Sequence, residues 1–153
     1  MRAFRIALEK YARTASQAFG GHGGLGGMGR WHNIGRQIVY TSQSLSLSAL
    51  ESLVHIQRSD KIQPYVHWEI EIPDRFVTEA AGLPVNWQAD QVATRAWGDR
   101  WLAGRSSVAV RVPSAIVPGE SNVLINPLHD DFDMVRVVEG PVPFVFDGRL
   151  TRP

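Results

Sequence analysis

Apolar positions recur along the chain with two different periods, and the period marks strands off from helices. Phe4-Arg5-Ile6-Ala7-Leu8 alternates well enough to predict a first strand, with Arg5 pointing away from the face of Phe4 and Ile6. Ala12 to Phe19 reads as a turn of helix or a loop. Gln37 to Ser42 is rich in β-branched and aromatic residues and predicts a strand. Ser42 or Ser44 then caps a helix whose apolar stripe is Leu47, Leu50, Leu53 and Val54. Pro64 opens a strand that runs through Ile72 and stops at Pro73. Val66, Trp68, Ile70 and Ile72 share one face of it, and Tyr65, His67, Glu69 and Glu71 the other. Ala89 to Leu102 predicts a helix with Val92, Ala96 and Trp101 inward, weakened by Gly98 and followed by Gly104 as C′ residue. Ser107 to Val112 predicts a strand closed by Pro113, and Val123-Leu124-Ile125 a short one before the Asn126-Pro127 turn. Val135 to Val138 and Val142 to Phe146 predict two last strands, paired as a hairpin. The expected class is α+β: a single domain over residues 1–153, core about 4–147, with a mixed, mostly antiparallel sheet and a few helices.

One stretch fits neither period. Gly20 to Gly29 holds seven glycines, a composition that favours neither helix nor strand. Its backbone N–H groups could meet a phosphate, or the run could be a plain flexible loop. Gly24 to Gly29 matches the bare GxGxxG pattern without a preceding strand, which leaves a glycine-loop nucleotide-binding module as a weakly supported reading. No Gly-Lys-Ser/Thr ending makes it a P-loop. The run delivers Arg30; the next strand carries Tyr40, and the next helix Glu51. A guanidinium, a phenol and a carboxylate thus fall within one supersecondary unit, a combination suited to an anionic, ribose-bearing ligand.

Composition narrows the alternatives. At 153 residues, 44% apolar and 20% charged, the chain suits one globular domain with its own core. The net charge of +1 and the lack of a basic stripe argue against nucleic-acid binding. No long apolar run predicts a membrane span. With 0 Cys, and with His22, His32, His55, His67 and His129 in no metal-ligand spacing, no metal site is expected, and the default compartment is the cytoplasm. Gly-x-Ser-x-Gly is absent.

Gly29-Arg30-Trp31-His32-Asn33, Ile38-Val39-Tyr40-Thr41-Ser42 and Ala49-Leu50-Glu51-Ser52-Leu53-Val54-His55 together resemble the RES domain family. The opening Phe4-Arg5-Ile6, Arg111-Val112-Pro113-Ser114 and Asn122-Val123-Leu124-Ile125-Asn126-Pro127-Leu128-His129 extend the resemblance from about residue 4 to about residue 147. It departs at two points: Met28 precedes Gly29, and His32 stands before Asn33, where the family more often has Gly-Gly-Arg-Trp-Asn.

The resemblance implies an ADP-ribosyltransferase-like fold and a toxin of a toxin–antitoxin pair that consumes NAD. Hydrolysis, phosphorolysis and transfer of ADP-ribose to a protein stay open, as does a silent domain that only binds its antitoxin. It also implies an antitoxin partner with an Xre-like helix-turn-helix region, with which the chain would assemble. Carried over, the catalytic set is Arg30, Tyr40, Glu51 and Ser114, and NAD binding falls to Arg5, Arg30, Tyr40 and Asn126. Glu51 would steady an oxocarbenium-like sugar. Arg5 or Arg30 would fork onto the pyrophosphate, and Tyr40 would stack on nicotinamide or bond the ribose. Ser114 would orient ribose or a phosphate.

Overall fold

The computed structural model describes residues 1–56 and 63–151. Seven strands form one sheet: β1 (Arg2–Leu8), β2 (Val39–Ser42), β3 (Tyr65–Glu71), β4 (Val77–Glu79), β5 (Ala109–Pro113), β6 (Ser121–Ile125) and β7 (Arg136–Phe144). The spatial order is β4-β5-β6-β2-β1-β3-β7. Among the described residues only the β4–β5 pairing is parallel, so the sheet is mixed and mostly antiparallel, as expected. The helices are α1 (Ala15–Phe19), α2 (Gly23–Gly26), α3 (Leu45–Leu53) and α4 (Gln91–Gly104). No helix of the described residues is long and apolar enough to cross a membrane.

The central strands are buried on both faces. Ala109, Val123 and Ile125 join one core with Trp68, Ile70 and Ile72. Their neighbours Val110, Val112 and Leu124 join a second, aromatic core with Trp31, Trp97 and Trp101. This is why Val108-Ala109-Val110 and Val123-Leu124-Ile125 are unbroken apolar runs.

Several local expectations change. A helical turn forms at Gly23–Gly26 despite its composition, because tertiary contacts hold it: Gly35 N–H donates to Gly24 O at 3.1 Å. On α4 the inward stripe is Thr94, Trp97, Gly98, Trp101 and Leu102; Val92 and Ala96 are exposed. Gly98 is a packing requirement, since a Cβ there would lie 1.8 Å from Trp31 O. Gly104 is the last helical residue, and Arg105 takes the left-handed cap at φ 45°. The expected C-terminal hairpin is instead the single edge strand β7, with register shifts opposite His67, Glu69 and Ile70 of β3.

The pairing of β1 with its two neighbours is unequal. β1 pairs with β3 along seven residues, from Arg2↔Glu71 to Leu8↔Tyr65, but meets β2 only at Phe4↔Ser42. Continuing that register would set Ile6 opposite Tyr40. Instead Ile6 N–H donates to Ser48 Oγ of α3 at 3.0 Å, and Arg5 Nη1 donates to Tyr40 O at 2.9 Å. Side chains replace ladder partners, satisfying backbone groups that would otherwise be left unpaired. Where the strands part, a cavity opens.

Candidate active site

The cavity holds about 620 Å³, within the range usual for small-molecule sites. Arg5, Arg30, Tyr40 and Glu51 all line it. Four separate elements therefore bring together most of the residues singled out from sequence.

Glu51 sits on α3, whose N-cap is Ser44, its Oγ accepting from Leu47 N–H at 3.1 Å. Two donors converge on Glu51 Oε1: Asn122 Nδ2 at 2.5 Å and Ser114 Oγ at 2.8 Å. Each donor is itself fixed. Ser42 Oγ donates to Asn122 Oδ1 at 2.7 Å, which orients the amide. Ile116 N–H and Val117 N–H donate to Ser114 Oγ at 3.1 and 3.0 Å, so its own proton is directed to the carboxylate. Ser42, Ser114 and Asn122 are buried. Glu51 Oε2 accepts no hydrogen bond from the described residues. The network thus fixes the carboxyl group by a single oxygen.

The cationic side is built by the loop after α2 and by α4. Arg30 Nη1 donates to Gln88 O at 3.0 Å, while its carbonyl accepts from Thr94 Oγ1 at 2.8 Å. Arg95 lines the same cavity, its Nε donating to Gly29 O at 3.0 Å and its Nη2 to Gln91 Oε1 at 2.9 Å. Burial lowers the Arg5 guanidinium to about 10, so it is still a cation near neutral pH. Its Nε is buried and has no hydrogen-bond partner among the described residues. Burial raises the Tyr40 phenol above its ordinary value, which keeps it protonated. Of the glycine run, only Met28 and Gly29 reach the cavity wall.

Asn126 is placed elsewhere. It is buried, its Nδ2 donates to Leu102 O at 3.0 Å, and its Oδ1 accepts from Leu128 N–H at 3.1 Å. It holds the turn after β6 and does not line the cavity. Ser114 touches Glu51, a contact that supports the carboxylate. Sequence reasoning missed Asn122, Ser42 and Arg95. Asn122 stood within a quoted motif, and the Asn-Pro turn signal drew attention to Asn126. Arg95 on an amphipathic helix carries no mark that separates it from a solvated arginine. No group of three or more metal-ligating side chains occurs among the described residues.

A mixed sheet split between two central strands, with a held carboxylate and three guanidinium groups lining one cavity, defines the class as a single α+β domain with a cleft in its sheet. The chain matches the RES domain family over residues 2–147 and belongs to that family. It is 35% identical over 154 residues to "Toxin Res" of Yersinia enterocolitica, covering 98% of this chain and 99% of the relative. It is 34% identical over 156 residues to "Prs ADP-ribosylating toxin" of a Sphingobium species, covering 97% and 96%. A chain in the crystal structure of the M. tuberculosis MbcT–MbcA toxin–antitoxin complex shares the fold at a TM-score of 0.71. That match has 15% identity and covers 94% of this chain and 84% of the other.

Proposed function

We propose that the chain is the toxin of a toxin–antitoxin pair and acts on NAD, breaking the nicotinamide–ribose bond. The observation that carries the reading is a single cavity in which Arg5, Arg30 and Arg95 face a carboxylate held by Asn122 and Ser114. The relatives named as toxins, which match along nearly their whole length, support it.

The chemistry suits this donor set. The planar guanidinium forks of Arg30 and Arg95 match the oxygens of a pyrophosphate. The C1′–N bond breaks with its electron pair moving onto the cationic pyridinium nitrogen, so nicotinamide leaves neutral and needs no proton. Positive charge grows on the ribose, and Glu51 stabilises it while its free Oε2 can hold a ribose hydroxyl. Water then attacks C1′ and loses a proton, phosphate adds there instead, or a protein nucleophile takes the ADP-ribose. The relative named Prs ADP-ribosylating toxin favours protein transfer as the second reading. The partner proposed is an antitoxin with an Xre-like helix-turn-helix region that closes the cavity.

The test is nicotinamide release from NAD by purified protein. Release in plain buffer means hydrolysis, release only with phosphate means phosphorolysis, and release only with a protein acceptor means transfer. Glu51→Ala should lower turnover more than NAD binding. No release under any condition, or a Glu51→Ala protein as active as wild type, overturns the reading.

A further inference from the structure

His32 does not line the cavity, yet it is bonded to a residue that does. Its Nε2 lies 3.0 Å from Gly27 O and its Nδ1 lies 2.7 Å from Tyr40 Oη. A carbonyl only accepts, so Nε2 carries the ring proton. Burial disfavours the charged ring, so Nδ1 of the neutral imidazole is a bare acceptor and the phenol donates to it. Trp31 N–H reaches the same phenolic oxygen at 3.2 Å. The ring is closely confined: a Cβ on Gly24 would lie 3.0 Å from Nε2, and one on Gly29 2.7 Å from Cε1 and 2.5 Å from Tyr40 Oη. Gly29 is thus explained by the His32–Tyr40 pair that packs against it, while at Gly24 the tighter limit is the Arg36 carbonyl, 2.2 Å from an added Cβ.

We propose that His32 is a positioning residue that holds the phenolic proton of Tyr40 away from the cavity. A bound ligand then meets Tyr40 as a ring and as a hydrogen-bond acceptor, never as a proton donor. The NAD reading, on which the kinetic arm of the test rests, is deepened by this. A departing pyridine that leaves neutral requires no acid, whereas a ribose hydroxyl needs an acceptor. Protonation of His32 would reverse the bond: the new Nδ1–H would donate to Tyr40 Oη, already taking Trp31 N–H, and turn the phenolic proton outward. The charged groups facing this pair are Arg30 on the loop and Arg95 and Asp99 on α4.

The first arm needs no substrate. Ring ¹⁵N NMR of the wild-type protein should show His32 neutral near pH 7, with its proton on Nε2 and an unprotonated Nδ1 signal that shifts in Tyr40→Phe. The second arm compares His32→Gln, whose amide can accept from Tyr40 and donate to Gly27, with His32→Phe, which does neither. With folding verified by circular dichroism, His32→Phe should lose about tenfold in kcat at little change in KM, and His32→Gln should stay within about threefold of wild type. A proton on Nδ1, an Nδ1 signal unmoved by Tyr40→Phe, or a folded His32→Phe protein with wild-type kcat overturns the proposal. If wild-type protein releases no nicotinamide, the NAD reading falls, while the nitrogen signals still decide the His32–Tyr40 arrangement.

Discussion

Asn122→Ala removes a donor 2.5 Å from Glu51 Oε1 and also takes away the acceptor of Ser42 Oγ. Hydrogen bonds to charged groups contribute about 1.5–3 kcal/mol. If that stabilisation is realised as sugar charge develops, each ~1.4 kcal/mol lost is about tenfold in rate. Asn122→Ala should therefore lower kcat for nicotinamide release by roughly ten- to a hundredfold. Ser42→Ala removes only the brace behind the amide and should cost less, about threefold to tenfold. The sharper test is a double-mutant cycle. If Asn122 works only by holding Glu51, its loss should matter little once Glu51 is alanine, because residues acting as one unit are not additive. A full, independent loss in the Glu51→Ala background would show that Asn122 contacts the ligand itself, and would refute the positioning argument.

Gly98→Ala should unfold the protein or lower its stability by about 3 kcal/mol or more, since the clash is with backbone of Trp31 and overpacking has no flexible side chain to relax. Gly23→Ala and Gly26→Ala, where an added Cβ meets nothing within 4 Å, should be neutral or raise stability by about 0.4–1 kcal/mol in thermal or urea melts. Burial holds His32 below its ordinary value of 6.5, so the unfolded chain takes up a proton that the folded chain refuses. Stability should be level above that value and fall as pH drops below it toward the folded value, and His32→Gln should flatten the slope in denaturation measured between neutral and mildly acid pH. Arg95→Ala removes a cavity cation and the donor to Gly29 O, and should raise KM for NAD about tenfold with a smaller change in kcat.

The class of fold was legible because period and punctuation are local. Pro73 and Pro113 mark strand ends, and Ser44 caps α3 as its residue type suggests. What failed depended on partners distant in sequence. Val92 and Ala96 look like an inward stripe until Trp31 arrives against Gly98 and sets which face of α4 is buried. β4 was missed because three residues of strand carry little pattern. The pair Asn122 and Asn126 illustrates the limit for the site. Asn122 is the second residue of β6 and Asn126 the first beyond it, and register decides their work: Asn122 lies opposite Ser42 and donates to Glu51, while Asn126 lies past the strand end and donates to Leu102 O.

The split between β1 and β2 links fold to chemistry more tightly than any single residue does. A continued ladder would have filled the gap with backbone hydrogen bonds and left no room for a ligand. Opening it leaves an N–H at Ile6 and a carbonyl at Tyr40 without strand partners, and an unpaired buried backbone group is costly. Ser48 answers the first from α3, the same helix that carries Glu51, and Arg5 answers the second from β1 itself. The repairs thus dock the acidic helix against the opened strands and set a guanidinium in the gap. Arg5 is engaged through Nη1, as Arg30 is through Nη1 and Arg95 through Nε and Nη2, so on the proposed reading an anion would meet the remaining N–H groups of all three.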